Sequence, residues 1–159
     1  MRLWAGRRQH AARLRAGLGA LAVLALLAPV AGCGDPVQAY CASLRDHRAK
    51  LSRIINSGSP TALVDNLALL KEIAGGAPSD LTDEWQTFLN AIEDLTQALH
   101  DADVNPDAYH NGKPPPGVSP RQRKAIADAA SQLASSQVVS AANGIVQEAR
   151  DVCHLDLEL

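Results

Sequence analysis

Sulfur carries most of the chemistry available to this chain. Its three cysteines are Cys33, Cys41 and Cys153, and no two of them stand as a CxxC pair. A thiol can be acylated, can oxidise to a disulfide, or can ligate a metal as the thiolate. His154 follows Cys153, and that adjacency suggests thiol chemistry, an option that a disulfide at Cys153 removes. His47 falls in line with an apolar helical stripe, one turn beyond Leu44. It can be read as a ligand or a base, but the expectation is a boundary residue with a hydrogen-bonded partner. His100 and His110 flank an acidic segment without a third ligand spaced for zinc. That segment, Asp101-x-Asp103-x-Asn105-Pro106-Asp107, sets oxygen atoms at alternate positions, as calcium requires. Pro106 replaces the turn glycine and Gly112 the bidentate glutamate, so an acidic helix end followed by a turn is expected instead. There is no nucleophile elbow, P-loop or HExxH. The expectation is a chain without catalytic residues, resident metal or cofactor.

The first cysteine has a distinctive approach. Arg2, Arg7, Arg8, Arg13 and Arg15 make a basic start, and residues 17–28 are an apolar run of about a dozen. Small residues follow in Pro29-Val30-Ala31-Gly32-Cys33. This order is that of a secretory signal peptide. The apolar run is short of the roughly 20 residues of a membrane span, although an uncleaved signal anchor is the competing reading. Val30-Ala31-Gly32-Cys33 resembles the bacterial lipobox: an aliphatic residue, two small ones and the cysteine. The resemblance implies that the Cys33 thiol is diacylated and that residues 1–32 are removed as a leader. Residues 33–159 then form one domain, about the size expected of one. The alternative is an ordinary secreted protein in which Cys33 is a free or paired thiol.

An odd number of cysteines in an exported chain leaves one outside a disulfide. With lipid on Cys33, Cys41 and Cys153 remain and should oxidise outside the cytosol. The bridge would close a loop of about 110 residues, for which the loop-entropy model gives about 4–5 kcal/mol. Two buried free thiols, or two ligands of a shared metal, are the other readings. Cleavage would remove five of the fifteen Lys and Arg and none of the seventeen Asp and Glu, taking the net charge from −2 to −7. That balance argues against nucleic acid and against direct adhesion to anionic lipid. The expected membrane partner is reached through the acyl chains, at roughly 0.8 kcal/mol per buried methylene.

The positions of these residues depend on helices. Apolar residues recur at three and four, aromatics are few, and no stretch alternates with period two. Asp35-Pro36 opens a first helix, with Gln38 at the capping-box position and a stripe of Val37, Tyr40, Cys41, Leu44, Leu51, Ile54 and Ile55. Ser59-Pro60 opens a second, carrying Leu63, Leu67, Leu70 and Ile73 up to Gly75-Gly76. A third runs from near Ser79 with the seam Leu81, Trp85, Phe88, Ile92, Leu95 and Leu99. Ser119-Pro120 with Gln122 opens a fourth, along Ile126, Ala130, Leu133, Val138, Ala141, Ile145, Ala149 and Val152. The fold class expected is all-α, a four-helix up-down-up-down bundle. Cys41 and Cys153 then fall at the same end. At about 1.5 Å per residue the fourth helix would span about 50 Å against about 22 Å for the second. It should bend or break, first at Asn143-Gly144 and next at Ser135-Ser136. Between the third and fourth helices runs a proline-rich loop that is either a connector or a recognition element, with Tyr109, His110, Pro114, Pro115 and Pro116 as its candidates.

Asp35-Pro36-Val37-Gln38-Ala39-Tyr40-Cys41, with His47 six residues further, Asp83-Glu84-Trp85 and the C-terminal Cys153 resemble small secreted lipoproteins of actinobacteria. The resemblance implies a cell-surface helical domain and no assigned activity. Three roles follow. A non-enzymatic binding or adaptor module would face an envelope protein or the cell wall. A small-ligand or metal-binding lipoprotein would need a pocket between helices, sought beside Tyr40 and His47. An enzyme would need a constellation not visible here. Replacing Cys33 by alanine should abolish radiolabelled palmitate incorporation by the full chain in its host; label persisting on the variant refutes acylation at this residue.

Overall fold

The computed structural model describes residues 35–109 and 113–157. Cys33, the leader at 1–32 and His110 lie outside the described residues. Among the described residues six α-helices form and no β-strand does: α1 (Pro36–Ser57), α2 (Pro60–Asp65), α3 (Leu67–Gly75), α4 (Thr82–Asp101), α5 (Pro120–Leu133) and α6 (Ser136–Asp151). None is long and apolar enough to cross a membrane. The all-α expectation holds, and six helices replace the expected four.

Both extra boundaries have local causes. Asn66 separates α2 from α3: its backbone sits at φ −112° and ψ 14°, and its side-chain amide donates to the Ala62 carbonyl at 2.8 Å. That amide satisfies a carbonyl at the end of α2, so the helix can stop without an orphan acceptor. The long fourth helix breaks at Ser135, not at Asn143-Gly144. Ser135 is extended, and its hydroxyl accepts from the Val138 N–H at 3.4 Å, which caps α6. Gly144 stays inside α6, where the facing helix comes close. A Cβ at 144 would come within 3.2 Å of Glu84 Cγ on α4.

The other helix starts follow the capping logic read from sequence. Asp35 accepts from the Val37 N–H at 3.0 Å, and Ser59 from Thr61 at 3.2 Å. Ser119 and Gln122 complete a reciprocal capping box. α1 ends on Gly58 at φ 58°, the left-handed conformation that glycine adopts without strain.

α4 is the central helix, flanked by α3, α5 and α6. Its seam residues Leu81, Trp85, Ile92, Leu95 and Leu99 are buried, with Phe88 partly so. Two stripe residues leave the expected pattern: Ile55 and Val152 are exposed. The core also gains residues from segments outside the helices. Val104 and Val118 anchor the two ends of the long loop, and Leu155 and Leu157 fold the C-terminal tail back onto the bundle. The Leu155 N–H donates to the Ala149 carbonyl at 2.8 Å, and Arg48 of α1 donates to the Asp156 carbonyl at 3.0 Å.

Cys41 and Cys153 are joined in a disulfide with Cα atoms 5.1 Å apart, and both are buried. The bridge ties the second turn of the first helix to the segment after the last, across a sequence separation of 112. The double substitution Cys41→Ala and Cys153→Ala should cost about 2–5 kcal/mol of stability. Thermal unfolding of the full chain should then shift down by on the order of 10 °C. Coincident melting curves for the two proteins would show that the bridge is not holding the domain.

Candidate functional site

Two regions of the domain combine aromatic, polar and apolar groups closely enough to do chemistry or binding. The first surrounds the disulfide. Tyr40 is fully buried, and its hydroxyl accepts a hydrogen bond from Trp85 Nε1 at 3.1 Å. Burial pushes the Tyr40 phenol up to about 12; the Trp85 hydrogen bond opposes this shift and the Glu148 carboxylate adds to it. The Glu148 carboxyl is itself raised, first by loss of solvent and then by Asp80 and Asp151 nearby. The Tyr40 phenol is closed off from solvent, while Glu148 is half-buried. Neither Tyr40 nor His47 lines the cavities described below. His47 lies on the same helix, half-buried, with Nδ1 2.9 Å from the Ser43 carbonyl, its own helix's preceding turn. Among the described residues it makes no ion pair with a carboxylate. Trp85 and Phe88 meet with ring centroids 6.3 Å apart at 58°, an ordinary tilted core contact.

The second region lies at the other end of α4. A cavity of about 540 Å³ opens between α2, α4 and α5. Its floor is Leu95 and Leu99 of α4, and its sides are Val64 of α2 and Ile126 with Ala130 of α5. The long loop forms the roof through Pro106, Tyr109 and Pro114. The volume is within the range of small-molecule sites, and an apolar lining with few polar groups is their usual composition.

The roof is built rather than merely draped. Val104 is held by its N–H donating to the Leu99 carbonyl at 3.0 Å. Asn105 accepts from the Asp107 N–H at 2.9 Å and starts a single 3₁₀ turn at Pro106–Ala108. On the return side Arg123 donates to the Val118 carbonyl at 2.7 Å, and Gln122 donates to the Asp101 carbonyl at 3.2 Å. Proline fixes φ at several of the remaining positions. Tyr109 is half-buried against the core. It therefore serves as a wall of the cavity, where the sequence suggested an exposed recognition aromatic. Pro114 shares that wall, Pro115 is half-buried and Pro116 is exposed.

The acidic segment 101–107 turns through Asp103, whose φ of 53° is left-handed. It lines a shallow polar depression with Asp65 and His100. Among the described residues no group of three His, Cys, Asp or Glu is placed to hold a metal ion. Sequence reading missed the cavity because its walls come from three helices whose separation no local pattern encodes. The signal that was present is size alternation: Ala127 and Ala130 on α5 face Leu95 and Leu99 on α4. No family model, curated protein or solved structure matches the chain.

The Tyr40 environment gives a pH test. The folded chain keeps the phenol protonated to about pH 12, whereas the unfolded chain releases the proton near pH 10. The stabilisation is complete below pH 10 and is lost as pH rises toward 12. Tyr40→Phe should flatten the pH dependence of urea unfolding in that window. It should also cost about 1 kcal/mol at neutral pH, since the Trp85 N–H loses its acceptor. An unchanged alkaline slope would mean that Tyr40 is not held as a buried neutral phenol.

Proposed function

We propose that this chain is a lipid-anchored extracytoplasmic protein of the cell envelope that binds without catalysing. Its binding element is the roofed cavity between α2, α4 and α5. The single observation that carries the reading is that cavity: about 540 Å³ of mostly apolar space, framed by helices and covered by an anchored loop. A mostly apolar cleft of a few hundred Å³ with a few polar groups at its edge is the usual form of a small-molecule site. Of the two binding roles, adaptor for an envelope protein and receptor for a small ligand, the cavity favours the second. The proline-rich loop then acts as the lid of a ligand site rather than as a docking tip.

Anchoring rests on the lipobox-like Val30-Ala31-Gly32-Cys33 and on the leader before it. The disulfide supports an oxidising compartment, because such bridges persist mainly outside the cytosol. In this reading α1, α2 with α3, α4, and α5 with α6 are the four limbs of an up-down-up-down bundle. The bridge between the start of the first limb and the end of the last favours that arrangement. The non-enzymatic reading is supported by the burial of Tyr40 and by the ordinary helix-surface setting of His47.

The test uses host membranes carrying the full chain and a neutral long-chain alcohol bearing a photoreactive diazirine. After illumination, label should map to peptides containing Leu95, Leu99, Ile126 and Ala130. Ala130→Trp fills the space and should remove most of the label. Ala127→Phe, at an exposed wall position, should reduce it with little change in thermal stability. Label distributed elsewhere, or insensitive to both substitutions, sinks the cavity as the binding element.

A further inference from the structure

The mouth of the cavity narrows the class of ligand. Ser59, Thr61 and Arg123 bring the polar groups to an otherwise apolar lining. The Ser59 hydroxyl is engaged, since it accepts from the Thr61 N–H at 3.2 Å to cap α2. Arg123 is the lining residue that carries charge. Its one hydrogen bond to the Val118 carbonyl, at 2.7 Å, orients the guanidinium and leaves the remaining N–H donors of the fork available. Arg123 makes no ion pair among the described residues.

Charge placement on α5 points the same way. Arg121, Arg123 and Lys124 stand at the start of this helix, and its first turn holds no acid. Cations at a helix N-terminus work against the macrodipole, so the arrangement costs the helix stability. Lys124 is compensated by Asp128 at 2.6 Å; Arg121 and Arg123 are not. Lys113 precedes the roof residue Pro114. In a segment whose acids outnumber its bases, the one charged side chain in the cavity lining is thus a cation. Departures from local preference are where functional constraint is to be sought.

We infer that the cavity takes a single-chain carboxylate: an aliphatic tail among Val64, Leu95, Leu99 and Ile126, with its head group on Arg123. The inference rests on the cavity being the binding element. A guanidinium fork matches a carboxylate with two parallel N–H···O bonds. One lining cation suits a monoanionic head; a phosphate dianion would call for a second charge inside the lining. A neutral tail alone would be held by burial, without orientation. Arg123 supplies the orientation and the preference for an anion.

The experiment compares two photoreactive probes with the same diazirine chain, one ending in a carboxylate and one in a primary alcohol. Both are applied to washed host membranes that carry the full chain and lack ATP and coenzyme A, so neither probe is metabolised. On the wild type, the carboxylate should reach half-maximal labelling of the α4 and α5 peptides at roughly tenfold lower concentration than the alcohol, as expected of a charge-assisted pair. Arg123→Gln should bring the two probes to equal half-maximal concentrations on that variant, and Arg123→Lys should restore part of the difference. Equal potency of the two probes on the wild type, or a carboxylate preference that survives Arg123→Gln, overturns the head-group assignment and leaves the cavity standing. Failure of both probes to label the α4 and α5 peptides overturns the cavity itself, and this inference with it.

Discussion

The bond between Cys41 and Cys153 is the constraint on which the rest of the domain depends. It joins the beginning of the first helix to the residue just beyond the last, so every other element is enclosed in one covalent loop. The neighbouring groups reinforce the join. Tyr40, one residue before the first sulfur, accepts from Trp85 at the start of the central helix. Leu155 and Leu157, just after the second sulfur, bury themselves in the core. First, central and last elements therefore meet at one place. That convergence lets a chain with few aromatic residues hold a core made largely of leucine, isoleucine and alanine.

A domain fastened at one end has its freedom at the other. The end of α4, the start of α5 and the short α2 meet away from the disulfide, with smaller residues on the facing surfaces. α2 has only six residues and no buried side chain. The break at Asn66 frees it from the axis of α3, and it lies against α4 and the loop. Large side chains at 127 and 130 would have closed the space between α4 and α5; alanine leaves it open. The loop is then held across the gap by hydrogen bonds at both of its roots, so the space is roofed without being filled.

Much of this was legible in the residues. The capping pairs at Asp35, Ser59 and Ser119 announced helix starts because each satisfies backbone donors locally. The seam of α4 was readable because its spacing of three and four is the geometry of a helix face. The partnership of Cys41 with Cys153 followed from counting sulfurs, given the resemblance that assigns Cys33 to lipid. What escaped were features decided by neighbours far apart in sequence. Asn143-Gly144 looked like a break because glycine lowers helix propensity. In the fold, Gly144 stays helical where a Cβ would sit 3.2 Å from Glu84 Cγ, a tight contact that glycine avoids. Ser135 wins instead because its hydroxyl caps a new helix. The tail leucines carry no periodic signature at all, since they become core only through the turn at His154, where φ is 53°.

The cavity illustrates the same limit for function. Each of its residues has an unremarkable local reading: leucines on a seam, alanines on a small-residue stripe, prolines in a loop, an arginine on a polar face. The cavity emerges only when α2, α4 and α5 are set side by side with Pro106, Tyr109 and Pro114 of the loop against them. Tyr109 shows the consequence most clearly. In the sequence it is an aromatic among polar residues and so a candidate for exposure. In the fold, Val104 and Val118 are buried at the ends of the loop, and Tyr109 packs half-buried against the core. The residue lines the cavity from the loop side. The loop is thus part of the cavity wall, and proline limits the backbone freedom of that wall at Pro106 and Pro114.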